Sequence, residues 1–494
     1  MNLATVGGPQ SAQGKKKDHL RDFLAIDERE HIVECSQGMM GKLLIYVIAI
    51  IAVATYFPWW ESALVVSAAM AAAYRPNLRN PILFAATWIA AFLEIGLFEN
   101  QALTDISVIL HHEQIAGISV TVMAFTFLLA VMIGAWVILA FVRKNPKTFL
   151  ARRPLITLLA VVALLCVLPA LDVMQGLPRA LLWSMLIVLT PYVWFLTYAI
   201  ADQRSRDPSD PVLQMAVLRP FWSPTYLPFG KGAAFLRKNL SKTPRDLAVT
   251  QLKAIKLLLW SNALLAMKTG LGWIFEDQME VPGLEEALDA FLLGQPFPIA
   301  VAWLSLILAT AKYSLKIALW AGLFIGIARL AGYRLPRGSW RPLESRTLME
   351  YFNRFHYYFK ELLVDHFFVP TFFSVFRSRP RLRMFFATFM AAGVGNALWH
   401  FLYDIQVVTS MGMARALESF TSYAFYCLAL ATGIGLSQVR ASRGIRPPST
   451  LFGKLYSFLF VWSFVVCLHI FGDESRNHSL TERFLFFLSL FGVS

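Results

Sequence analysis

Nine histidines are spread over 494 residues, and two of them stand where an imidazole can do chemistry. His400 closes the run Gly393-Val394-Gly395-Asn396-Ala397-Leu398-Trp399-His400, at the end of an apolar stretch. The small residues there let helices approach closely and leave room around the ring. An ionisable group in such a stretch is costly to hold in a membrane, which makes it a functional candidate. A neutral imidazole removes a proton from an alcohol near neutral pH, so His400 reads as a general base; the competing reading is an ordinary, satisfied interior histidine or one at the lipid interface. The second constellation is Glu350-Tyr351-Phe352-Asn353-Arg354-Phe355-His356, with Asp365 nine and Pro370 fourteen residues after the histidine. Other ionisable groups read more plainly. His111-His112-Glu113 lacks a third ligand, and adjacent histidines on a helix do not face one ion, so no metal is assigned. Lys312 and Lys316 share a helical face and are expected to snorkel to the interface. Glu94 and Asp172 fall near the ends of apolar runs, where capping or solvation suits them. Cys35, Cys166, Cys427 and Cys467 show no CxxC or CxxH spacing, so neither a disulfide framework nor a zinc site is indicated.

The elements that must position these groups are membrane helices. The chain is 57% hydrophobic and 15% charged, with a mean hydropathy of +0.55, which excludes a single soluble domain. Its net charge of +14 belongs to cytoplasmic loops rather than to nucleic-acid binding. A span needs about 20 apolar residues. The runs lie at 42–60, 62–75, 81–98, 117–142, 154–172, 181–201, 252–269, 297–331, 382–403, 419–438 and 452–471, with an apolar tail from Phe484. The expected fold is therefore an all-α polytopic bundle of eleven or twelve membrane-embedded elements. Residues 1–41, with Lys15, Lys16, Lys17 and Arg21, form a cytoplasmic arm, helical from Asp18, and 42–494 form the transmembrane domain. Basic connections fall on every second loop: Arg75–Arg79, Arg143–Arg153, 202–245 and Arg440–Arg446 face the cytoplasm, while the acidic stretches Glu99–Glu113 and Glu276–Asp289 face outward. The 297–331 run would be about 50 Å long as one helix, so it is expected to be tilted or broken near Lys312. The 202–250 segment mixes prolines with Phe221, Trp222, Tyr226 and Phe229, which suits short helices lying at the interface. The basic and aromatic 333–381 segment suits amphipathic re-entrant helices. Neither reads as a separate soluble domain.

With both motifs placed, the sequence resembles the membrane-bound O-acyltransferase family, whose bacterial members include those that acetylate alginate and those that alanylate teichoic acid. The family signature runs approximately E-F-W-x-R-W-H, then an Asp nine positions on, then an aromatic stretch to Pro. Glu350, Arg354, His356, Asp365 and Pro370 fall in that register without a gap. A second family element, an apolar helix ending in G-x-W-H-G, resembles Leu398-Trp399-His400, 44 residues after His356. The departures are Phe352 and Phe355 in place of Trp, Val364 in place of the Arg before the Asp, and Phe401 in place of the Gly after the second histidine.

The resemblance implies a bundle of that family's type in the inner or plasma membrane, with its N-terminus in the cytoplasm. It implies transfer of an acetyl or other short acyl group from a cytoplasmic thioester, such as acyl-CoA, to a hydroxyl of a surface polysaccharide or its lipid carrier. His400 would be the essential base, His356 the second active-site histidine, and Asp365 the group that orients one of them. Arg354, Trp399 and Asn396, in the same motifs, would bind substrate. No resident cofactor is implied; membrane lipids surround the chain, and an extracytoplasmic partner protein completes the transfer. Arg346, Arg354, Lys360, Arg377, Arg379, Arg381 and Arg383 around His356 serve first as topology signals and offer charge to the phosphates of an acyl-CoA. Two alternatives remain: an enzyme of this type acylating a lipid or a protein, and a transporter or inactive scaffold on the same fold. Retention of both histidines argues against the scaffold.

Overall fold

The computed structural model describes residues 25–94, 101–171, 174–472 and 476–493. The lysine-rich start of the N-terminal arm with its helix from Asp18, Glu99 and Asp172 lie outside these residues. Among the described residues every regular element is helical, and Leu240 and Tyr333 form an isolated β-bridge.

Among the described residues six helices are long and apolar enough to cross a membrane: Val120–Lys144, Leu177–Gln203, Ile299–Leu330, Pro380–Tyr403, Thr421–Ser442 and Leu451–His469. Glu30–Gln37 and Met39–Val53 meet at 93° and together make a bent seventh candidate. Helices cover the other apolar runs too, but they are shorter, as in Trp59–Tyr74, Arg79–Leu93 and Pro154–Val167. Pro244–Leu271 is long, with 28 residues, yet carries Lys253, Lys256 and Lys268.

Of the two alternatives for the 297–331 run, the break near Lys312 is absent: Ile299–Leu330 runs unbroken for 32 residues, and the Lys312 ammonium pairs with Glu276 on the π-helical segment Gly272–Gln278. Much of the 202–250 segment is packed inside the protein. Residues 213–218 and 220–224 are buried, with Trp222 and Phe221 at 0% and 2% exposure. Prolines keep this stretch from forming a long helix, so other elements must satisfy its backbone. The Thr87 hydroxyl donates to the Ala216 carbonyl at 2.7 Å and the Trp88 indole to that of Met215 at 3.2 Å. The segment is a plug wedged between two hydrophobic clusters, giving Leu213, Val217 and Trp222 to one and Met215 and Leu218 to the other.

The 333–381 segment folds into the short helices Leu348–Phe355, Tyr357–Leu363 and Val369–Ser374, with a π-helical turn at Val364–Phe368. Thr347 caps the first of these by accepting from the Glu350 amide at 3.1 Å, and the Glu350 carboxylate accepts from the Arg346 amide at 2.8 Å. The motif glutamate thus starts a helix. A second π-helical turn, Met390–Gly395, interrupts Pro380–Tyr403 just before the His400 motif. The two turns pack together through Phe367 and Gly395, where a Cβ would sit 2.6 Å from the Phe367 ring. Such turns widen a helix by one residue and recur at functional sites.

Candidate active site

A cavity of about 1570 Å³ occupies the middle of the bundle. Tyr423, Tyr426, Leu430, Ile434 and Gln438 line it from the Thr421–Ser442 helix at steps of three and four, the spacing of one helical face. From Tyr423 to Gln438 that face is about 22 Å long at 1.5 Å per residue. Thr388, Ala391, Asn396, Trp399, His400 and Tyr403 line it from Pro380–Tyr403, which runs the opposite way. One end of this helix pair carries Arg379, Arg381, Arg383, Arg440 and Arg443. His400 and Tyr423 sit at the other end.

His400 is held by Tyr423: the phenol oxygen and the imidazole Nε2 lie 2.8 Å apart, and the ring centroids 4.3 Å apart. Trp399 stacks on Tyr403 with centroids 5.4 Å apart and planes within 9°. The Trp399 Nε1 and Asn396 Oδ1 atoms are buried and have no hydrogen-bond partner among the described residues, although both side chains line the cavity.

His356 also lines the cavity. It sits at the break between two short helices, against the edge of Phe355 at 4.3 Å. Its ring makes no hydrogen bond among the described residues, and burial pushes the imidazole down to about 4, so it is neutral. Phe359 stands between the histidines, its centroid 6.3 Å from that of His356 and 6.0 Å from that of His400. The two motifs, 44 residues apart in sequence, therefore meet on one cavity.

Arg354 lines the cavity beside them and is tied to Glu344 and the Arg341 carbonyl, both at 3.4 Å. Trp340, also on the lining, is flanked by the Arg337 and Arg341 guanidiniums at 5.1 and 5.2 Å from its ring. Asp365 departs from expectation. Its carboxylate accepts from the Tyr198 hydroxyl at 2.9 Å and pairs with Lys231 at 2.9 Å, with no bond to His356 or His400 among the described residues. Lys231 also pairs with Glu361 at 2.8 Å. The π-helical turn directs Asp365 away from the cavity, toward the plug and Leu177–Gln203, so it anchors the segment. The group that holds a histidine is Tyr423, which sequence reasoning missed.

Asp105 carries no signal in the sequence either. It lines the cavity near Tyr226, and burial pushes its carboxyl up to about 6. Glu113, from the rejected metal motif, pairs with Arg179 at 3.4 Å and accepts from the Gly176 amide at 2.7 Å. No protein-family model matches the chain, and no curated protein does either. Fold and site together define an all-α polytopic membrane protein with two histidines on a central cavity.

Proposed function

We propose that this chain is a membrane-bound O-acyltransferase that moves a short acyl group from a thioester entering at the basic end of the cavity to a hydroxyl acceptor near His400. The observation that carries the reading is the convergence of His356 and His400 on one cavity, at the sequence spacing of the family the motifs resemble. In the proposed reaction His400 removes the acceptor's hydroxyl proton as the oxygen attacks the thioester carbonyl. The ester C–O bond forms, the C–S bond breaks, and the thiolate leaves to be protonated. The Asn396 and Trp399 side chains on the cavity lining are placed to contact a substrate, and the Arg337, Arg341, Arg354 and Lys360 charges suit the phosphates of an acyl-CoA. A surface polysaccharide or its lipid carrier as acceptor, and an extracytoplasmic partner that completes the transfer, belong to the same reading.

The test is mass spectrometry of ester-linked acyl groups on surface glycans and lipids, in cells with and without the gene. A defined ester should disappear on deletion, return with the wild-type chain and stay absent with His400→Gln. The extent of the cavity along the Thr421–Ser442 face also suits a transporter. An unchanged ester profile, or full restoration by His400→Gln, would move that reading to first place.

A further inference from the structure

The hydrogen bond between Tyr423 and His400 does not stand alone. Tyr423 stacks on Phe420, with centroids 5.8 Å apart and planes 27° apart. The guanidinium of Arg476 lies across both rings, 4.5 Å from the Phe420 centroid and 5.6 Å from that of Tyr423. Arg476 is fixed in turn by Asp404, whose carboxylate accepts from its Nε at 3.1 Å; both side chains are nearly buried, at 6% and 11% exposure. Asp404 lies one turn beyond His400, its amide donating to the His400 carbonyl at 3.0 Å. Arg476 thus fastens the end of the helix that carries His400 to the start of the helix that carries Tyr423. A guanidinium that is charge-paired and stacked on aromatic faces is held by two kinds of contact at once.

The bond at Nε2 also restricts the chemistry. A neutral imidazole has one N–H and one lone pair. If Nε2 accepted the Tyr423 hydroxyl, the only lone pair on the ring would be spent. For His400 to act as a base with this bond intact, Nε2–H must donate to the phenol oxygen, leaving the lone pair on Nδ1.

We propose that Arg476 is a positioning residue for His400: clamped by Asp404, it holds the Tyr423 phenol against Nε2 and so presents Nδ1 as the basic nitrogen. This rests on the proposed acyl transfer for its catalytic meaning, but the positioning itself is measurable without any acceptor.

The experiment uses the purified full-length chain in detergent, as wild type, Arg476→Gln, Arg476→Lys, Tyr423→Phe and the Arg476→Gln/Tyr423→Phe double variant, each confirmed monodisperse. Diethyl pyrocarbonate, which reacts with an unprotonated imidazole nitrogen, is the probe, and its rate at His400 is read by peptide mass spectrometry. In wild type the presented Nδ1 should be modified, and without the phenol to accept from Nε2–H and aim the ring the rate should fall in Arg476→Gln and in Tyr423→Phe, with no further loss in the double variant and a near wild-type rate in Arg476→Lys. Restoration of the ester in the deletion strain should fall about tenfold in each single variant, the scale of losing a group that orients a functional imidazole, and about tenfold, not a hundredfold, in the double variant. Multiplicative effects, or a wild-type rate at His400 in Arg476→Gln, would overturn the proposal. The expected modification pattern in a chain that forms no ester supports the clamp and rejects the acyl-transfer reading instead.

Discussion

The two histidines share a cavity but are placed by opposite means. His400 is held through its side chain by the Tyr423 hydroxyl, at the junction of two long helices. His356 makes no side-chain hydrogen bond among the described residues; it is fixed by aromatic edges and by the backbone of two short helices. Those helices are themselves fastened from behind, where Lys231 of the plug pairs with Glu361 and Asp365. A ring held by a directional bond keeps one nitrogen aimed, as proton transfer requires. A ring held only by packing shapes the space without committing its nitrogens. Under the proposed acyl transfer, this contrast gives the base role to His400 and leaves His356 to bind or orient substrate.

The sharpest way to break this contrast is to remove each imidazole's basicity in turn. His400→Gln should lower ester formation by about 10²–10⁴-fold, the contribution of a positioned base, whereas His356→Gln should cost less, with both proteins folded. An equal or larger loss in His356→Gln would reverse the assignment.

A second variant attacks the fastening behind His356. Lys231→Met leaves Glu361 and Asp365 without their shared cation. Breaking a buried pair costs several kcal/mol, but these carboxylates keep 21% and 33% of their side-chain surface, so about 2 kcal/mol is expected. Burial raises the Glu361 carboxyl, but hydrogen bonds and charge from Lys231 and Lys360 outweigh it and hold it below its ordinary value of 4.5. A depressed folded value gives stability that is complete above the unfolded value and is lost as pH falls below it. Thermal unfolding in detergent should therefore show the Lys231→Met deficit at pH 7 and show it shrinking below pH 4.5. A deficit that does not change with pH would mean the pair acts only through packing.

The third variant tests the joint between the two regions. In Gly395→Ala the new methyl lies 2.6 Å from the Phe367 ring, and overpacking of this kind costs about 1–3 kcal/mol. Phe367→Leu in the same chain should recover part of the lost melting temperature. Independent, additive losses would show that the two π-helical turns do not bear on each other.

Much of this arrangement is legible in the residues. The run ending in His400 and the segment around His356 both reach the cavity, as their spacing suggests, because an imidazole in apolar sequence is costly unless it faces an interior space, and the small residues beside His400 open that space. The failures have physical causes. Tyr423 lies two residues from the start of its helix, where a tyrosine is ordinary, and only the tertiary fold reveals its partner. Asp365 keeps its motif position, but a π-helical turn rotates it away, and such a turn has no pattern in hydropathy. The Glu276–Lys312 pair goes unread because pairing across 36 residues is invisible to local rules. The interior packing of the plug goes unread since proline with aromatics suits an interface and a packed interior equally well.

That plug bears on how the chain is made. Phe221 and Trp222 bury against a cluster that includes Leu323, Ile327 and Tyr333, while Met215 and Leu218 bury against one that includes Leu402, Ile405 and Val408. None of those later residues exists when the ribosome has just completed the plug. The face of the plug that bonds to Thr87 and Trp88 has its partners already made, but the face that meets those later residues is covered only after nearly two hundred further residues are synthesised. The two faces of one short segment are therefore completed at different stages of the chain's synthesis.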